Sequence, residues 1–194
     1  MYPINEANMA KEGKDDYLDA YKKYLEELAN NQSSALFANA GKEHASILMS
    51  LLFNHTDSDV RIFCVGFRPL LIRTMPYWGS LKKYLKDNGK SLKVLVETDK
   101  FLNDEPLQLL KKVKEERADN SIIVKLITKE DQKLINEKVE GEDCNFAIFD
   151  NNKFRFEYDP VGFKAYGSFN RPENCRYLID IFDAAFKNSN TILV

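Results

Sequence analysis

The sequence predicts an α/β fold with a mixed sheet, built from βα units followed by an antiparallel hairpin section and a C-terminal helix, with an amphipathic helix ahead of them. Three observations predict it. Short apolar runs alternate with helical patterns between Ser34 and Ile127. From Phe146 to Phe169 the apolar runs are separated only by turn-forming residues. A last stretch with apolar residues at helical spacing opens on Pro172-Glu173. A chain of 194 residues that is 44% hydrophobic, with 13 Phe and 9 Tyr, can bury one domain-sized core.

Each element has a local reason. From about Asp15 to Ala29, Tyr17, Tyr21, Tyr24, Leu25 and Leu28 recur at helical spacing, opposite Lys22, Lys23, Glu26 and Glu27. This predicts a helical extension over residues 1–33, packed by its tyrosines onto an α/β domain over 34–194. Ala35 to Ala38 reads as a strand, Gly41 to Phe53 as a helix and Val60 to Val65 as a buried strand, the order of a βαβ unit. Leu70 to Asp87 reads as a helix broken near Pro76, stopped by Asn88-Gly89. Within it, Met75-Pro76-Tyr77-Trp78 suits either a core or a contact patch. Leu92 to Val96 is a strand, Glu105 to Arg117 a helix with Pro106 in its first turn, and Ile122 to Ile127 a strand. The charged segment Thr128 to Glu142 reads as an exposed connection. Phe146–Phe149, Phe154–Tyr158 and Phe163–Phe169 are strands joined at Asp150-Asn151-Asn152 and Asp159-Pro160-Val161-Gly162. Pro172 to Lys187 closes the chain as a helix.

Composition excludes several function classes. The 28 basic and 30 acidic side chains leave a net charge of −2, so no whole-molecule attraction to nucleic acid or anionic lipid arises, and any anion site is local. Three cysteines without CxxC spacing, and a polar start over Met1 to Asp16, point to a cytoplasmic protein. No apolar run reaches the roughly 20 residues that span a bilayer. His44 and His55 are the two histidines, neither in a ligand motif, so neither a metal nor another cofactor is expected. GxxxxGK[ST], GxGxxG and GxSxG are absent, which removes the P-loop, dinucleotide and hydrolase-elbow classes.

The chemistry-bearing segment is Asn145 to Asn170, ending in Gly167-Ser168-Phe169-Asn170. With the βα units before it and the helix after it, this segment resembles the phospholipase D-like superfamily, whose signature is HxK, an Asp after four residues, and GSxN. The resemblance implies a nucleophilic His, a second His from another motif copy as acid, phosphate-holding Lys and Asn, and hence a possible homodimer. Carried onto this chain, Gly167, Ser168 and Asn170 match the tetrad and Asp150 matches the motif Asp. Asp143 falls in the His slot and Asn145 in the Lys slot, so the resemblance is to a degenerate, single-motif member. Taken by itself, GSxN also reads as a turn into the last helix, with Asn170 as its cap.

The expected function is therefore a catalytically degenerate domain that binds an anionic small molecule or a protein partner. Asn145, Arg155, Lys164, Ser168, Asn170 and Arg171 are the candidate ligand-binding residues. Arg155 and Glu157 alternate with Phe154 and Phe156 and share one strand face, read as an exposed surface with an intrastrand charge pair. One alternative is an active, metal-independent phosphodiesterase or nuclease using His44, which should then reach Ser168 or Asn170. Another is a purely structural interaction protein working through the N-terminal helix.

Overall fold

The computed structural model describes residues 6–117, 121–139 and 143–193. Along the chain these form α1 (Glu6–Asn30), β1 (Phe37–Asn39), α2 (Lys42–Asn54), β2 (Asp59–Cys64), α3 (Pro69–Ile72), α4 (Tyr77–Leu85), β3 (Ser91–Val96), α5 (Glu105–Arg117), β4 (Ile122–Leu126), α6 (Lys129–Lys138), β5 (Asn145–Phe149), β6 (Lys153–Asp159), β7 (Lys164–Ser168), α7 (Pro172–Asn188) and β8 (Asn190–Leu193). Among the described residues the strands make one mixed sheet in the order β1-β7-β6-β5-β2-β3-β4-β8. The pairs β2–β3 and β3–β4 are parallel, and every other neighbouring pair is antiparallel.

Helices cover both faces, which is why the central strands are apolar almost throughout. On one face Val60, Ile62, Val94, Ala147 and Phe149 meet the buried sides of α1 to α5. On the other, Phe63, Leu95, Phe146 and Ile148 meet Ile135 of α6 and Leu178, Ile181 and Phe182 of α7. Phe53 of α2 anchors the first layer, with its ring 5.7 Å from Tyr77, 5.2 Å from Tyr84 and 5.1 Å from Phe149. The expected break at Pro76 separates α3 from α4.

Several elements differ from the local reading. In α1, Leu25 and Ala29 are buried, but Tyr17 is 61% exposed and Tyr24 is also exposed, so only part of the tyrosine stripe packs. Residues 1–5 of the expected extension lie outside the described residues. The first βα pair is opened up: β1 and β2 run in the same direction, but β7, β6 and β5 lie between them. The charged connection after β4 is a helix, α6, because Thr128 caps it. Its Oγ1 accepts from the Asp131 N–H at 3.1 Å and donates to the Asp131 carboxylate at 2.9 Å. Residues 140–142 of that connection lie outside the described residues. β8 extends the sheet beside β4, where a short run with no turn signal gave no strand prediction. The N-cap of α7 is Arg171, without a side-chain capping bond, and not Asn170.

The Asp150 carboxylate ties the β5–β6 turn to the loop entering β2. It accepts from the backbone of Asp57 and Ser58, from Ser58 Oγ at 3.0 Å and from Lys153 Nζ at 2.6 Å. Burial alone would push this carboxyl up, but the Lys153 bond and charge and the backbone N–H groups outweigh it and hold it below the usual range. Asp150→Asn is expected to lose about 2 kcal/mol at neutral pH. A carboxyl depressed in the folded state contributes stability above its unfolded pKa, about 3.9, and loses it as pH falls through the lower folded value. Urea denaturation of both proteins should therefore show a gap at pH 7 that closes only well below pH 4. A constant gap would contradict the assignment.

Candidate ligand-binding site

The F-R-F-E alternation of β6 puts Phe154 and Phe156 against α7 and aims Lys153, Arg155 and Glu157 at the opposite layer. Because helices cover that layer too, the expected exposed face is instead buried: Arg155 is 5% and Glu157 3% exposed. This corrects the surface charge pair of the local reading. Two buried charges persist only when they are paired and hydrogen-bonded. Arg155 Nη2 donates to Glu157 Oε1 at 2.7 Å and Arg155 Nε to Asn39 Oδ1 at 3.2 Å. Glu157 Oε2 accepts from Asn145 Nδ2, whose side-chain oxygen in turn accepts from the Val65 N–H at 2.9 Å. Asn39 Nδ2 closes the chain of bonds on the Phe163 carbonyl at 2.6 Å. The register aligns these groups, since Asn145 lies opposite Glu157, Glu157 opposite Ala165 and Ala165 opposite Asn39.

This network sits at the C-terminal end of β2, the end at which open α/β sheets hold ligands. A cavity of about 60 Å³ opens there, with Cys64, Arg68, Tyr77, Asn145, Arg155 and Glu157 among its lining residues. Burial pushes the Cys64 thiol up to about 12, with Arg68 opposing, so it is a neutral thiol at physiological pH. Glu97, at the exit of β3, has its carboxyl raised by burial and by Asp143, with Gln132 opposing. Among the described residues, no group of three or more His, Cys, Asp or Glu side chains could hold a metal ion.

The six candidate ligand residues do not converge. Asn145 and Arg155 share the network, and Lys164, at the same end of the sheet, is exposed and pairs with Asp159 at 3.1 Å. Ser168 lies opposite Phe154, next to the β5–β6 turn, at the N-terminal end of β2. Four strand steps from Asn145 to Phe149 separate the two ends by ~13 Å. The Ser168 hydroxyl, fully buried, bonds the Ser33 carbonyl and accepts from the Asn170 N–H, each at 3.3 Å. Arg171 donates Nε to the Ser34 carbonyl at 2.8 Å and its N–H to the Asn152 carbonyl at 2.7 Å. Gly167 lies opposite both Arg155 and Phe37.

His44 does not reach the tetrad. Its ring packs on Tyr21, with centroids 4.2 Å apart, and on Tyr17 at 5.3 Å. His55, eleven residues along and hence ~16 Å further down α2, is the histidine beside Phe169, at 6.4 Å. Asn39, Arg68 and Tyr77 joined the site without a local signal, because long-range pairing and helix packing bring them there.

No family model and no curated protein matches the chain. Solved structures do. Nuc from Salmonella typhimurium, a phospholipase D family member, matches with a TM-score of 0.54 at 10% identity, over 82% of this chain and 100% of that one. NucT from Helicobacter pylori matches at 0.54 and 11% identity, over 81% and 99%. TrmBL2, an archaeal chromatin protein with a novel mode of DNA binding, matches at 0.54 and 10% identity; the match covers 96% of this chain but only 66% of that one. The fold is thus similar to phospholipase D family structures. Among the described residues, no helix is long and apolar enough to cross a membrane.

Proposed function

We propose that this chain is a non-catalytic, phospholipase D-like domain that binds a small anionic ligand at the C-terminal end of β2. One observation carries the reading. In the slot where the resemblance requires a phosphate-holding Lys, Asn145 has both ends of its amide engaged, by the Val65 N–H and by Glu157. The His slot is the exposed Asp143, and Cys64 is protonated at physiological pH, so among the described residues that line the cavity none is an activated nucleophile. Arg155 remains as a buried cation at the cavity wall.

Purified full-length protein, given bis-p-nitrophenyl phosphate or a single-stranded DNA oligonucleotide, is expected to release no product above buffer. Turnover that falls in Asp143→Asn would sink the proposal. A second reading, nucleic-acid contact, draws on a groove lined by Lys138, Tyr166 and Tyr177, with exposed Tyr158 stacked on Tyr166 at 6.4 Å. Exposed aromatic faces beside a cation suit stacked bases. A rise in anisotropy of the same oligonucleotide, lost in Tyr166→Ala, would favour it.

A further inference from the structure

The cavity under residues 65–68 contains hydrogen-bonding capacity that the protein leaves unused. Arg155 spends Nε and Nη2 on Asn39 and Glu157, and its Nη1 has no hydrogen-bond partner among the described residues. Tyr77 is only 2% exposed, its backbone N–H donates to Ser46 Oγ at 3.3 Å, and its phenol hydroxyl has no hydrogen-bond partner among the described residues. That hydroxyl interacts electrostatically with Cys64, Arg155 and Glu157, the polar groups of the cavity wall. Neither atom is sealed from solvent, so each presents an unused donor to the cavity. Two of them on one small cavity define a place for an acceptor.

Charge and shape narrow the ligand. Arg155 and Arg68 line the cavity against the single carboxylate of Glu157, and Arg68 forms no ion pair among the described residues, so the lining carries one net positive charge. Glu97, just after β3, is not among the lining residues, and its carboxyl is shifted towards the neutral form. The remaining wall is apolar and includes Met49, Ile62, Leu71 and Ile72. A cavity of about 60 Å³ admits several water-sized groups and no nucleotide.

We propose that this cavity binds a short-chain monocarboxylate, with the carboxylate between Arg155 Nη1 and the Tyr77 hydroxyl, Arg68 at its entrance and the alkyl tail on Met49, Ile62 and Ile72. The assignment rests on reading the domain as a binding module and specifies what it binds. Preformed donors hold the anion without side-chain reorganisation, and the paired Glu157 keeps the site from attracting a dianion such as phosphate.

The test is calorimetric titration and thermal shift of the full chain with acetate, propionate, butyrate and hexanoate, beside butyramide and inorganic phosphate. At least one carboxylate is expected to bind saturably, at least tenfold more tightly than butyramide or phosphate. Tyr77→Phe keeps the ring that stacks on Phe53, so it should fold normally and weaken binding about fivefold, the loss of one hydrogen bond. Arg68→Gln should weaken it as well and reduce its salt dependence. Flat responses to every carboxylate, or unchanged affinity in Tyr77→Phe, overturn the assignment. Phosphate binding in place of the carboxylates also overturns it and leaves the binding-module reading standing. Phosphodiester turnover removes that reading separately.

Discussion

Arg155→Ala is expected to cost about 3–5 kcal/mol of stability. The truncation leaves Glu157 buried and charged, with Asn145 as its one remaining side-chain partner among the described residues. Asn39 loses its partner on the same strand row. For a domain of this size the loss corresponds to roughly 10 °C in melting temperature. Replacing both ions together, Arg155→Met with Glu157→Leu, should recover part of it, because no unpaired charge is left, while Asn39 Oδ1 and Asn145 Nδ2 lose their partners. Urea denaturation of the two singles and the double gives the coupling between them. A loss below about 1 kcal/mol for Arg155→Ala would mean that the pair is solvated and the network is not as described.

Gly167→Ala is expected to cost about 3 kcal/mol, which would show that the first residue of the GSxN tetrad is there for packing. A Cβ at this position would run into the Phe154 carbonyl oxygen and come within 2.7 Å of the Phe37 ring. The backbone atom belongs to the paired strand and cannot move without breaking the ladder. Gly167 faces Arg155 across β6–β7 and Phe37 across β1–β7, so its missing side chain leaves room for both. Ser168→Ala, by contrast, should lose only about 1 kcal/mol, since it removes two long hydrogen bonds, to the Ser33 carbonyl and from the Asn170 N–H. Thermal denaturation of the two variants checks the contrast. If Gly167→Ala were as stable as the wild type, the close approach of β1, β7 and β6 would be wrong.

Much of the fold was legible from residues alone. The periods of β2, β3, α5 and α7, the turns at Asp150 and Asp159, and the break at Pro76 follow from local chemistry, and the fold has elements there. Thr128-Lys129-Glu130-Asp131 carried a cap signal for α6, which the charge of the segment obscured. β8 offered no comparable signal, because its only reason to be a strand is the free edge of β4.

The site was legible only in part. That Asp143 and Asn145 stand where His and Lys would be needed is a fact of the sequence, as are the element types and the alternation of β6. Only the tertiary structure decided at which end of the sheet each candidate falls and whether the Arg155 face is wet or dry. Strand period assigns a residue to a face but leaves open what covers that face. The helices α1 to α5 cover it, the insertion of β7, β6 and β5 between β1 and β2 sends Ser168 and Asn170 to the far end, and Tyr77 and Arg68 line the same cavity as Arg155. Those outcomes depend on pairings between residues more than a hundred positions apart, which no local pattern encodes.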